Sequence, residues 1–365
     1  DYIDYGANQF FTDQARLNAR EIPRIPVDAG RIFVSTINSL RLGGDLSARA
    51  ERDGRGGQLD IQAQNLSIVA NSGDSAPGVV EIDANLLSQL DVASLLLGGS
   101  RNQTTLAHLF PDVENPERQF IGSPITGNSG TVTEIVGGSD SVTVGSGVSL
   151  DFAETILVAK DSVTIKSGAV ISSASRNDRI SQAAVIQGEA AVVRVTNDSS
   201  SAFARVGLPA TVSRGSVDVE NGAILNSGRD GAILVDAPFE ATFDGTLNMT
   251  GGSLALSSAA IDIGQEVTQH GNALVLDQRL LGNLAADALY LNSLSQINLA
   301  GDFRIGSATL DLELGAARIS GSGSGTDVFT IIADSFSITN RSIATMDVPS
   351  SGSGTLKVQA DRVEF

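Results

Sequence analysis

The chain has 365 residues, 41% of them hydrophobic, with 39 Gly, 9 Pro, 13 Phe, 3 Tyr, no Trp and no Cys. Its apolar mass is Val, Ile, Leu and Ala, enough for a core and best suited to narrow β layers, while the absence of Cys excludes disulfides, thiolate metal sites and thiol catalysis. With 24 basic against 42 acidic residues the net charge is −18, which argues against a nucleic-acid partner and against a polybasic membrane contact. No apolar run approaches the ~20 residues that a membrane span needs.

Residues 1–40 differ in texture from the rest. Tyr2, Tyr5, Phe10 and Phe11 crowd together ahead of Pro23 and Pro26, and the stretch is expected to be a cap or an interface segment. The chain opens at Asp1 with no charged region followed by an apolar one, which reads as an internal or mature segment of a longer protein. No composition shift divides 41–365, so that range is expected to be one unit.

Within it, NLLSQLDVASLLLGGS (85–100) aligns with RLLGNLAADALYLNSL (279–294) at an offset of 194. Leu86, Leu87 and Leu90 match Leu280, Leu281 and Leu284, a helical set. Leu95 and Leu97 match Leu289 and Leu291, an alternating set, so each copy is expected to be a short helical turn leading into a strand. The next stretch, 101–130, carries Pro111, Pro116 and Pro124 and no period.

The clearest repeat follows. SVTVGSGVSL (141–150) returns as SVTIKSGAVI (162–171), 21 positions on, and again as SVDVENGAIL (216–225). Looser copies are FDGTLNM (243–249) and INLAGDFRI (297–305). The alternation has period two, so each phrase is a strand with one face buried. Short strands at a fixed spacing of about 21 residues fit one coil of a parallel β-solenoid. Each strand then pairs with its counterpart one coil away, with Val142 on Val163 and Val144 on Ile165. A β-sandwich is the competing arrangement and does not explain the fixed offset.

The expected fold is thus all-β, a right-handed parallel β-helix with short helical turns. Excursions are expected at 101–130, 172–184 and 196–215, and GSGSGT (321–326) and PSSGSG (349–354) read as turns.

Five phrases carry a family resemblance: IPVDAGRIFVS (25–35), GRGGQLDIQAQNLSIVA (54–70), SLLLGGSR (94–101), ETILVAKDSVTIKSGAVI (154–171) and FDGTLNMTGGSLAL (243–256). Together they resemble an internal segment of the filamentous-haemagglutinin-like exoproteins of Gram-negative bacteria. The resemblance implies a right-handed β-helix and export through a partner outer-membrane transporter. It also implies an extracellular or cell-surface location and a part in adhesion or surface filaments. It implies no catalytic residue. The NPNG-like motif of the family's secretion domain does not occur, and neither does RGD; GRDG (228–231) reads as a turn.

Function is therefore expected to be structural and interactive: a rigid stalk or a filament building block. The expected partners are other segments of the same exoprotein, a further copy stacked end to end, or a host-cell or surface glycan. The candidate interaction loop is Leu106, Leu109, Phe110, Val113, Phe120 and Ile121, apolar residues set among prolines. The bland alternative is that this loop folds down over a flank of the solenoid.

A carbohydrate-active β-helix enzyme, lyase or hydrolase, is the second functional reading. It needs two carboxyls about 5–10 Å apart, and Asp140 and Asp161 fall at the repeat offset. His108 and His270 lie in loop sequence and no metal-binding His motif occurs. No cofactor is expected. The calcium-solenoid repeat is absent, and an acidic surface of this kind holds calcium only loosely, through carboxylate and carbonyl oxygens.

Overall fold

The computed structural model describes all residues except 1–6, 24, 26, 44–47, 72–75, 110–119, 122–130, 177, 179, 181–182, 199–202, 210, 266, 268–270, 323 and 341–352. Strands dominate, helices are short, and most strand pairing is parallel. No helix among the described residues is long and apolar enough to cross a membrane.

The repeated phrases set the register. Ser141–Val144 pairs in parallel with Ser162–Ile165, Val142 beside Val163 and Val144 beside Ile165. The third phrase joins the same stack, with Val163 beside Val217 and Ile165 beside Val219. Next come Ala241 and Phe243 of the strand Glu240–Phe243. The column residues face inward and are buried, while Thr143, Thr164 and Thr242 alternate outward. Six parallel strands make this face.

A second face holds Ser149–Asp151, Val170–Ser172, Ile224–Arg229 and Thr246–Thr250, also parallel. Between the two faces the backbone turns at Gly147, Gly168 and Gly222, whose φ values are 72°, 78° and 88°. That left-handed conformation is why each phrase carries Gly at this point.

A sheet of 12 strands closes the third side. It begins at Arg31–Ser35, takes in Gln58–Gln62, Ser94–Leu97, Glu154–Ala159, Ala191–Thr196, Ala232–Ala237, Ser253–Ser258, Ala288–Ser293, Asp311–Gly315 and Phe303–Gly306, and ends at Val328–Thr339 and Thr355–Glu364. One core of Leu, Ile, Val and Ala runs the length of the stack between these sheets.

The expectation that strands pair in parallel from coil to coil needs a correction within the large sheet. Ala191–Thr196 is antiparallel to both of its neighbours. The chain leaves the stack before Ala184–Gln187, turns at Gly188 with φ 70°, and re-enters the large sheet from the opposite end. Two reversals in succession cancel, so the strands on either side still share one direction.

Both long-repeat copies are a helical turn followed by a strand. The turn Ala84–Ser88 is capped by Asp83, which accepts from the Asn85 N–H at 2.8 Å. The turn Gln278–Leu281 is capped by Asp277, which accepts from the Leu280 N–H at 3.0 Å. Leu87 and Leu90 bury, as do Leu280 and Leu281, whereas Leu86 stays exposed. Leu95 and Leu97, and Leu289 and Leu291, enter the large sheet with side chains in the core.

Residues 1–40 contribute a helix, Ala7–Leu17, and then Arg31–Ser35, the first strand of the large sheet, paired in parallel with Gln58–Gln62.

Candidate functional site

The segments expected as excursions, 101–130, 172–184 and 196–215, contribute strands together with the residues that flank them. Gly99–Thr105 pairs antiparallel with Thr131–Gly137. Ala184–Gln187 lies beside Thr131–Gly137, Phe203–Val206 beside Ala184–Gln187, and Phe120–Ile121 on the outer edge. This five-stranded sheet packs on the outside of the large sheet. Between them lies a second apolar layer that includes Leu96, Ile135, Ile156, Val158, Ile186, Val192, Phe203 and Leu234.

The large sheet is therefore buried on both faces where it is covered. That explains why Ser94–Leu97, Glu154–Ala159, Ala191–Thr196 and Ala232–Ala237 are buried at every position. The sequence carries a signal of it: SLLL, ETILVA, AVVRVT and AILVDA are near-continuous apolar runs, unlike the alternating SVTV. Periodicity alone does not reveal what covers them.

Buried ions stand where the two sheets meet. Asp60, Glu154 and Arg194 sit on the outer face of the large sheet, and Arg101 stands on the covering hairpin. All four are nearly inaccessible. Arg101 Nη1 donates to Asp60 Oδ1, and its backbone N–H donates to Asp60 Oδ2 at 2.9 Å. Arg101 Nη2 donates to Ser94 Oγ at 2.5 Å, and Ser94 Oγ donates to Glu154 Oε2. Arg194 Nε reaches Glu154 Oε1 at 2.7 Å. A second pair, Arg205 and Asp236, ties Phe203–Val206 to the large sheet; Arg205 Nε donates to Asp236 Oδ2 at 2.8 Å and Nη2 to the Ala190 carbonyl at 2.7 Å.

Burial pushes the Asp60 carboxyl above its usual 3.8, against the opposing pull of Arg101. Burial pushes Glu154 up as well, but there Arg194 and Arg101, with the Ser94 hydroxyl, prevail and hold it below its usual 4.5. The two therefore act oppositely on acid stability. Glu154 contributes stability that is present above pH 4.5 and lost as pH falls through its lower folded value. Asp60 favours the fold as pH falls through its raised value. Glu154→Gln is expected to destabilise at neutral pH, and the gap to wild type should narrow steadily below pH 4.5. Urea midpoints from pH 7 to 3 measure this; a gap constant with pH would refute the assignment.

The candidate interaction loop is placed in part. Leu106 and Leu109 belong to a helical turn, Leu106–Leu109, at the end of the strand Gly99–Thr105. Leu109 is half-buried against Val132, Val185, Ala204 and Val206. Phe120 and Ile121 form the edge strand beside Phe203 and Ala204. Phe110 and Val113 lie outside the described residues, as does His270. His108 is exposed on the same turn as Leu109.

The stacked carboxylates of the enzymatic reading have partners. Asp140 accepts from Gln64 Nε2 at 3.2 Å and stands 3.6 Å from Lys160 Nζ. Asp161 faces Arg214 at 3.9 Å and is largely exposed. A separate polar cleft of about 1080 Å³ opens between Arg49–Gly56 and the turns at Ser173–Asp178, Asn197–Asp198 and Ser227–Asp230. It brings Arg49, Glu51, Asp91, Arg176 and Arg229 to one concavity. The sequence gives no sign of it, because its residues come from separate segments outside the repeated phrases. No group of three or more His, Cys, Asp or Glu arranged to hold a metal ion occurs among the described residues.

Neither protein-family models, curated proteins nor solved structures match this chain.

Proposed function

We propose that the chain is a right-handed β-solenoid that serves as a stiff stalk or filament segment of a secreted or surface-displayed bacterial exoprotein. One observation supports this most: the in-register columns Val142–Val163–Val217–Ala241 and Val144–Ile165–Val219–Phe243, stacked parallel over one continuous core. Such ladders resist bending because each step couples hydrogen bonds with close packing. The resemblance to filamentous-haemagglutinin-like exoproteins points the same way and adds export by an outer-membrane transporter. The sheet built on Gly99–Thr105, with its apolar turn at Leu106–Leu109, is the proposed contact element toward a host-cell or surface glycan or another segment of the parent protein. No enzymatic step and no cofactor is assigned, beyond loosely held calcium.

Small-angle scattering with electron microscopy of the purified chain tests the proposal. A rod is expected; a near-spherical particle would refute it. The charged cleft lined by Arg49, Glu51 and Arg176 favours a second reading, a carbohydrate-active site. Release of reducing ends or unsaturated sugars from a panel of acidic polysaccharides, lost in Arg176→Ala, would replace the stalk by that reading.

A further inference from the structure

The polar cleft lies on the flank of the stack, with coils on either side of it. Its Ser227 belongs to Ile224–Arg229, which pairs with Val170–Ser172 on one side and with Thr246–Thr250 on the other. The walls of the cleft are fixed. On one side the Ala48 N–H donates to the Asp91 carbonyl at 3.0 Å, and Arg49 Nε pairs with the Asp91 carboxylate. Gly56 there lies so close to the stack that a Cβ would stand 2.3 Å from the Ala93 Cβ. On the other side Asn197 Nδ2 donates to the Arg176 carbonyl at 2.9 Å, and Arg176 Nε donates to the Asp151 carbonyl at 3.1 Å.

Its charge is unbalanced. Among the described residues that line it, six are carboxylates and three are arginines. Two of those arginines are already engaged, Arg49 by Asp91 and Arg176 by Asp151. Glu51, Asp178 and Asp230 are exposed on the cleft and stand in no ion pair. A second feature is independent of charge. Ser227 also lines the cleft, at the point between Asn226 and Gly228 where the ladder to Thr246–Thr250 slips. It is 1% exposed, and its Oγ has no hydrogen-bond partner. A buried hydroxyl in that state costs free energy until a partner reaches it, and a slipped strand often marks a working site. Left-handed backbone points the same way: of the three described non-glycine residues that adopt it, Asp53 at φ 68° and Asp230 at φ 56° both line the cleft. No three of the described carboxylates gather as ligands to one metal ion, so they are spread along the cleft. The apolar lining is aliphatic, Ala50, Ala174 and Ile180, with no aromatic ring among the described residues. Spread carboxylates with aliphatic surface suit a methylene chain that carries ammonium groups, and the volume of about 1080 Å³ has room for one.

We propose that this cleft binds an extended aliphatic cation with two or more ammonium groups, as in a polyamine or the lysine side chains of a basic peptide. Its ammonium groups meet Glu51, Asp178 and Asp230, and one of them donates to Ser227 Oγ. The net charge of −18 raises the local concentration of such ligands. The site goes beyond the stalk reading and does not depend on it.

The test is calorimetric titration of the full chain with spermidine and, separately, with pentalysine, at about 0.15 M salt, where loose surface attraction is screened. Saturable binding at a single site is expected. Spermidine as the tighter probe identifies a free polyamine as the ligand source, and pentalysine a basic segment of a partner. Asp178→Asn combined with Asp230→Asn should weaken binding by at least about 10-fold, and Asn tolerates the left-handed backbone at 230. Asp161→Asn combined with Asp311→Asn removes equal charge outside the cleft and should leave the affinity within about 2-fold. Ser227→Ala should weaken binding about 10-fold, the worth of one hydrogen bond to a charged group. Its unfolding midpoint should match or exceed that of the wild type, because only an unpartnered hydroxyl is lost. A merely structural serine would lower the midpoint and leave the affinity unchanged. Should one cleft variant fail to fold, the other still decides. Absence of binding by both probes up to about 5 mM, or equal losses in the cleft and control variants, overturns the site. An acidic oligosaccharide held in the cleft in place of both probes overturns the cation assignment and gives the cleft to the carbohydrate reading.

Discussion

Arg101→Met should be among the most damaging substitutions on the covering sheet, costing about 3–5 kcal/mol because it strands buried carboxylates without their cation. Arg101 serves two acids at once: Asp60 directly, and Glu154 through Ser94 and at 3.5 Å from its own Nη2. Glu154 keeps Arg194, but Asp60 loses both the guanidinium contact and part of the neutralising charge. Its backbone bond from Arg101 persists. The damage should concentrate in the hairpin Gly99–Thr105 and Thr131–Gly137, which that ion pair pins to the large sheet. Amide exchange there should accelerate before exchange in Ser162–Ile165 changes. Asp60→Leu combined with Arg101→Met should recover much of the loss, since a buried ion pair replaced by apolar groups is often near neutral. A cost below about 1 kcal/mol for Arg101→Met, the range of surface pairs, would show that the network carries no weight.

Why this network was invisible in the sequence is a matter of distance. Asp60, Arg101, Glu154 and Arg194 span 134 positions and stand in four different strands. Each looks like an ordinary charge within or beside an apolar run. The columns, by contrast, were legible because identical phrases recur: SVTV and SVTI differ by one methylene at Val144 and Ile165, and the turn Gly is kept at 147, 168 and 222. The reversal of Ala191–Thr196 left no trace in composition, because a β-strand alternates equally well in either direction. The covering sheet was half legible. Its effect is written in the unbroken runs ETILVA and AILVDA, but the strands that do the covering, such as FARV and AVIQ, are too short to stand out from loop sequence. The cleft at Arg49 and Arg176 depends on several separate segments meeting, which only the fold decides.

Ile165→Asp should be comparably severe, for a simpler reason. Ile165 is fully buried and lies between Val144 and Val219 in the column. A carboxylate there faces apolar neighbours on adjacent coils and finds no cation. Its burial either holds it protonated or leaves an unpaired charge, and with the lost packing the total is about 4 kcal/mol or more. Because the ladder passes through this strand on both sides, the defect reaches Ser141–Val144 and Ser216–Val219 too. Asp161→Ala is the control four positions away. The Asp161 side chain is 58% exposed and meets Arg214 only at 3.9 Å, so its loss should cost under about 1 kcal/mol. Urea unfolding of the two variants beside wild type makes the comparison. The inward assignment requires a wide gap between the two midpoints, with Asp161→Ala near wild type. Similar losses in both would mean that Ile165 does not hold the coils together, and the stacked-column account of stiffness would fall with it.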